Sequence, residues 1–186
     1  MTLTTEKIIE QTQCWITNVI VAFDFCPFAK RELERASVYY KVVQDSDQDM
    51  VMAGALESFM TECFRLDARP EIETSFLIFP NSFTEFSFFL ELVYLANELL
   101  VAQNYEGVYQ IASFHPEYCF AEKSQDDASN FTNRSPFPML HLLRESSMTL
   151  ALENYPESDQ IFLRNIEKSR ELGNNVFQKL LEKCTK

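Results

Sequence analysis

Hydrophobic positions along this 186-residue chain repeat mostly at threes and fours, broken by three short β-rich runs. Ile8, Ile9, Thr12, Trp15, Ile16, Val19 and Ile20 predict a helix from about Thr5 to Ala22. Pro27 disfavours helix at Cys26, so a turn or kink is expected there, with a short helix over Phe28–Arg35 following. Val38–Gln44 (VYYKVVQ) is aromatic and β-branched and reads as a strand. Asp47 is placed to cap a helix over about Asp49–Leu66, whose stripe runs through Met52, Leu56, Phe59, Met60 and Cys63. Thr74–Phe79 (TSFLIF), stopped by Pro80, reads as a more buried strand. A helix from Ser82 or Thr84 to about Gln103 is apolar around nearly its whole circumference, which predicts a place deep in the fold. Val108–Phe114 (VYQIASF), after Gly107, is a third strand. Lys123–Thr132 is polar and reads as a long ordered loop, and helices are expected over about Pro136–Leu152 and from Ser158 to Leu172 or beyond, interrupted near Gly173.

Strands joined through helices imply βαβ crossovers. The expected fold is therefore α/β: residues 1–186 as a single domain, with a small, partly parallel sheet of about three or more strands flanked by five or six helices. A 46% hydrophobic composition is that of a soluble globule, and seventeen Phe against three Gly imply a phenylalanine-rich core. The net charge of −12 argues against nucleic acid and against anionic membrane surfaces as partners. No uncharged apolar run reaches about 18 residues, so no spanning helix is expected. The opening MTLTTEKIIEQ is polar, unlike a secretory leader. Cys14, Cys26, Cys63, Cys119 and Cys184 are scattered, which fits single thiols in a reducing compartment better than disulfides, and points to the cytoplasm.

Candidate chemistry concentrates in Phe114–Arg144, FHPEYCFAEKSQDDASNFTNRSPFPMLHLLR, which carries the two histidines of the chain. His115 follows the third strand, where open sheets place ligand sites, and can serve as acid, base or metal ligand. It can equally be a buried residue bonded to a loop carbonyl. Ser135 and Pro136 look like a helix entrance; with Arg134 alongside, free amides there would make an anion pocket for a carboxylate or phosphate. The alternative is a purely structural cap, with Arg134 paired to Asp126 or Asp127. On the expected following helix His141, Arg144 and Glu145 share one side, so that His141 can pair with Glu145 one turn later, or the trio is simply solvated. Cys26 is a lone thiol at a broken helix, either a nucleophile or ligand or an inert core residue.

The segments CPFA (Cys26–Ala29), ETSFLIFP (Glu73–Pro80), QIASFHPEYCFAE (Gln110–Glu122) and NFTNRSPFPMLHLLRES (Asn130–Ser146) resemble the family called domain of unknown function 1415, over nearly the whole chain. The resemblance implies no established reaction, substrate or cofactor. It carries over Cys26, Pro27, His115, Pro116, Asn130, Asn133, Arg134, Ser135, Pro136, His141, Arg144 and Glu145 as recurring motif residues.

These readings lead to a small enzyme acting on an anionic molecule, with His115, His141 and Cys26 as catalytic candidates and Asn130, Asn133, Arg134, Ser135, Arg144 and Glu145 binding the substrate. Two alternatives stand beside it. One is a metal protein with His115, His141 and Cys26 as ligands, supported by Glu117 or Glu145. The other is a non-catalytic interaction module in which the motif latches a strand end to a helix. No cofactor and no oligomeric state can be read from the residues. These readings lean on one geometry, in which His115, Arg134 and His141 converge on one cavity; whether Cys26 joins them is left open.

Overall fold

The computed structural model describes residues 3–44, 50–153, 155 and 157–186; the expected cap at Asp47 lies outside them. The first helix, α1 (Thr5–Trp15), is capped by the Thr4 hydroxyl, which accepts from the Lys7 amide at 3.3 Å. It continues as a π-helical stretch, Ile16–Val21, so the predicted Thr5–Ala22 helix exists with a widened last section. Helix α2 (Ala29–Glu34) follows the Cys26–Pro27 break as expected. Then come strand β1 (Val38–Val42), helix α3 (Val51–Ala68), strand β2 (Thr74–Ile78), helix α4 (Phe86–Ala102) and strand β3 (Tyr109–Phe114).

The chain departs from expectation after the motif loop. Met139–Arg144 is not helical; it forms a fourth strand, β4, and only Glu145–Glu153 is helix α5. Two consecutive X–Pro pairs, Ser135–Pro136 and Phe137–Pro138, push Ser135 and Phe137 to extended backbone and deliver the chain to the sheet. Helices α6 (Ile161–Leu172) and α7 (Asn174–Cys184) close the chain, separated at Gly173, whose φ of +76° suits glycine and ends α6.

Among the described residues the sheet has four strands in the order β1-β2-β4-β3. β1 and β2 are parallel and joined through α3, while β4 runs antiparallel to both β2 and β3. This is the expected α/β class with a partly parallel sheet. β2 is buried at every position because it has a strand on each side and helices on both faces.

Alternation along the strands sorts the core into two layers. Leu77, Leu140, Leu142 and Tyr109 pack with Phe59, Leu66, Phe89 and Leu92 of α3 and α4. Phe76, Ile78 and Met139 pack with Trp15, Ile16 and Ile20, Phe131, and Phe177 of α7. α4 is not engulfed as its composition suggested: Phe89, Leu92, Ala96 and Leu100 are buried, but Leu90, Tyr94 and Val101 on the other side are exposed.

The expectation of single thiols fails for two of the five cysteines. Cys14 of α1 and Cys184 of α7 form a disulfide across a sequence separation of 170, with Cα atoms 5.4 Å apart. Cys26, Cys63 and Cys119 are free. The amide of Gln11, one turn before Cys14, donates to the Thr185 carbonyl at 2.8 Å, so the two helices are tied twice. No helix among the described residues is long and apolar enough to cross a membrane. Closing so long a loop restricts the unfolded chain, and Cys14→Ser is expected to lower stability by about 2–5 kcal/mol in urea unfolding monitored by circular dichroism. Equal midpoints for the variant and the oxidised wild type would contradict that.

Candidate functional site

His141 stands in the middle of β4, between Phe76 on β2 and Ala112 on β3. Its ring lies flat on Phe76, centroids 3.8 Å apart and planes 7° from parallel. Ala112 presents only a methyl on the other side, so the sheet surface dips there. Opposite this dip the π-helical stretch, α2, α5 and α6 do not close on the strands. They leave a cavity of about 430 Å³ lined by Ile16, Ile20, Phe28, Phe76, Phe114 and Met148, among others. The polar and charged residues along it include Cys26, Arg31, Glu73, Thr74, Asn133 and His141.

The hydrogen bonds fix the His141 tautomer. The Thr74 hydroxyl gives its one proton to the Leu142 carbonyl, so toward His141 Nε2 its oxygen can only accept. Nε2 therefore carries the hydrogen and Nδ1 holds the lone pair; Nδ1 has no hydrogen-bond partner among the described residues. Burial holds the imidazole in its neutral form, pushing its pKa down to about 3.

His115 is placed differently. It is fully buried, away from the cavity, between Phe86 and Phe89 with centroids at 5.1 and 5.2 Å. Both nitrogens are engaged: Nδ1 accepts from the Glu117 amide at 3.0 Å, and Nε2 donates to the Phe83 carbonyl at 2.9 Å. Phe83 has φ +56°, a strained conformation for so bulky a residue, and the imidazole is one of the groups that hold it. Burial lowers the His115 pKa, against the Phe83 carbonyl and Glu117, which favour the charged form.

The expected helix entrance does not exist. Ser135 precedes a strand, is buried, and donates its hydroxyl to the Phe137 carbonyl at 2.6 Å. Arg134 donates from Nε to the Tyr118 carbonyl at 3.1 Å and from Nη2 to the Gln125 carbonyl at 2.7 Å, and lies over the Phe131 ring. It forms no salt bridge with Asp126 or Asp127; Asp127 pairs instead with Arg170 of α6 at 2.6 Å. That pair, with the Ser129 amide, holds the Asp127 carboxyl well below the usual range. Asn130, fully buried, accepts from the Phe120 amide and donates to the Ser124 carbonyl. Asn133 donates to the Ser113 carbonyl at 3.0 Å, and its own carbonyl accepts from the His115 amide. These residues knit Phe120–Thr132, including a 3-10 turn at Ala128–Thr132, to the end of β3.

Arg144 is not beside His141 on a helix. It borders the cavity, but its guanidinium donates to the Leu66, Arg69 and Ile72 carbonyls, satisfying the C-terminal end of α3. Glu145 starts α5 one residue after the strand, and the expected His141–Glu145 pair is not formed. So His141 and Cys26 share the cavity, with Asn133 and Arg144 on its wall, while His115 and Arg134 stand outside it. The expected convergence of His115, Arg134 and His141 is not met: of the three, His141 alone lines the cavity, because the segment after Pro138 enters the sheet instead of a helix.

Cys26 is a neutral thiol: burial pushes its pKa up, against the Phe28 and Ala29 amides, which favour the thiolate. Among the described residues no three His, Cys, Asp or Glu side chains are grouped to hold a metal ion. Residue-by-residue reading missed Thr74, Trp15 and Asn165. Trp15 Nε1 and Asn165 Oδ1 are buried without hydrogen-bond partners among the described residues, and both side chains line the cavity. The single tryptophan of the chain, on a helix already assigned to the core, gave no signal of this.

Both histidines are held neutral, so each binds its proton more weakly folded than unfolded. Stability is then fully present above the ordinary histidine pKa of about 6.5 and is lost as pH falls toward the folded values. For His141 the loss approaches about 1.4 kcal/mol per pH unit, and His115 adds a loss of the same sign. Urea unfolding at pH 7, 6, 5 and 4 should show this slope, and His141→Phe should flatten it. An unchanged slope in the variant would show that His141 is not a buried neutral base.

The model of the family described as protein of unknown function (DUF1415) matches residues 7–179. No curated protein and no solved structure matches the chain. The chain belongs to that family.

Proposed function

We propose that this member of the family of unknown function 1415 binds a small, mostly apolar organic molecule in the cavity behind its sheet. The observation that carries this reading is the cavity itself: about 430 Å³ of largely hydrocarbon and aromatic wall, with His141 and Thr74 among its few polar lining residues.

Binding fits the electrostatics better than catalysis. A general base works best with a pKa near the working pH, and His141 lies far below it at about 3. A thiol whose pKa is raised is a poor nucleophile. The anionic substrate anticipated from the sequence would need a cationic partner. Arg134 and Arg144 are committed to main-chain carbonyls, and Arg31 at the cavity wall bonds the buried Glu32 at 2.6 Å. The motif loop serves as the latch, and His141 as the residue turned to the ligand.

The neutral fluorophore 1-aminoanthracene tests this. Wild type should bind it with enhanced, blue-shifted emission. Ala112→Phe, which fills the dip beside His141, and Ala29→Phe, which fills the facing wall, should each abolish the enhancement while retaining the far-ultraviolet spectrum of a folded protein. Undiminished binding in both folded variants, or none in wild type, would overturn the reading.

A further inference from the structure

The cavity has a directional polar requirement, and it comes from one strand pair. Thr74 on β2 and His141 on β4 meet through Thr74 Oγ1 and His141 Nε2, while the same hydroxyl donates to the Leu142 carbonyl. The hydroxyl proton is thereby committed, so the imidazole must donate from Nε2 and is left a pure acceptor at Nδ1. The Phe76 stack at 3.8 Å and the neighbouring strands hold the ring in place. His115 shows the contrast within the same protein: it has the same tautomer, but its Nδ1 is consumed by the Glu117 amide.

We infer that the ligand is an uncharged apolar molecule bearing a hydroxyl, of the phenol or alcohol class, whose O–H is accepted by His141 Nδ1, and that Thr74 sets this selectivity by fixing the tautomer. The inference rests on the cavity reading above and sharpens it. An ether of the same shape has no proton to offer and leaves the imidazole lone pair without a partner. A carboxylate presents only lone pairs to a lone pair, in a wall where neither arginine of the motif has a free guanidinium. Thr74 acts through His141 and is a positioning residue.

The sole tryptophan of the chain, Trp15, lines the same cavity, so its fluorescence reports occupancy directly. Wild-type protein is titrated with 2-naphthol and with 2-methoxynaphthalene, which differ by the donor alone. The expected result is about tenfold tighter binding of the naphthol, the worth of one buried hydrogen bond with its acceptor otherwise unpaired. Thr74→Val, which keeps the shape and removes the hydroxyl, and His141→Phe, which keeps the stack and removes the acceptor, should each bring the two affinities within about twofold. Equal affinities in wild type, or a preference for the ether, overturn the hydroxyl assignment while leaving the cavity reading standing. A preference that survives in both variants overturns the roles of Thr74 and His141. Failure of both probes to bind wild type overturns the cavity reading and this inference with it.

Discussion

The insertion of β4 between β2 and β3 organises the rest of the molecule. β3 and β2 share no backbone pairing; each is held by β4, antiparallel on both sides, in the registers Phe114↔Met139 and Ile78↔Met139. A shift of one residue would turn His141 and Met139 toward α3 and α4 and send Leu140 and Leu142 to the opposite face. Register is therefore strongly specified, since Met139 on one face and Leu140 and Leu142 on the other are all buried. Arg144 adds a stop at the far end, because its contacts with the carbonyls ending α3 are available at one position only. The cavity follows from this placement, as the same register sets Ala112 beside the imidazole and Phe76 beneath it.

The segment before β4 makes that placement possible. After β3 the chain must return to the sheet in the opposite direction, and it does so through a loop whose polar groups are largely satisfied from within. Asn130 bridges Phe120 to Ser124, Arg134 bridges Tyr118 to Gln125, and Asn133 ties the end of the loop to Ser113. His115 extends the latch to Phe83 and helps hold its left-handed backbone. The two histidines, near one another in composition and motif, thus do different work. One has both nitrogens built into the scaffold, and the other has one nitrogen built in and one turned to the cavity.

Much of the fold was legible in the residues because periodicity and proline were consistent there: the helices before Gln103, the three strands, the break at Cys26–Pro27 and the interruption at Gly173. β4 was not. Met139–Arg144 has no β-branched residue, and Met, Leu and Arg favour helix when isolated, so local preference pointed one way and pairing with two strands prevailed. The signal lay in Phe137–Pro138, where a second proline makes helix at Phe137 unfavourable. From that one error came the false anion pocket at Ser135 and the false His141–Glu145 pair. The Cys14–Cys184 bond joins chain ends whose adjacency no spacing rule reveals. Of the candidate site, Cys26 and His141 were found together. Thr74 and Asn165 were missed because their roles arise only when β2 and α6 are brought to the same wall.

The central claim is that His141 is a neutral imidazole, protonated at Nε2, with Nδ1 turned into an apolar cavity. Long-range proton–nitrogen NMR of the two histidines, recorded from neutral to acidic pH with and without 2-naphthol, addresses it most directly. The account predicts that both rings carry hydrogen at Nε2, that His141 remains neutral well below pH 6, and that the naphthol moves the Nδ1 resonance of His141 and leaves that of His115 in place. A His141 that takes up a proton near the ordinary histidine value of about 6.5, or an Nδ1 resonance indifferent to the naphthol, would contradict it.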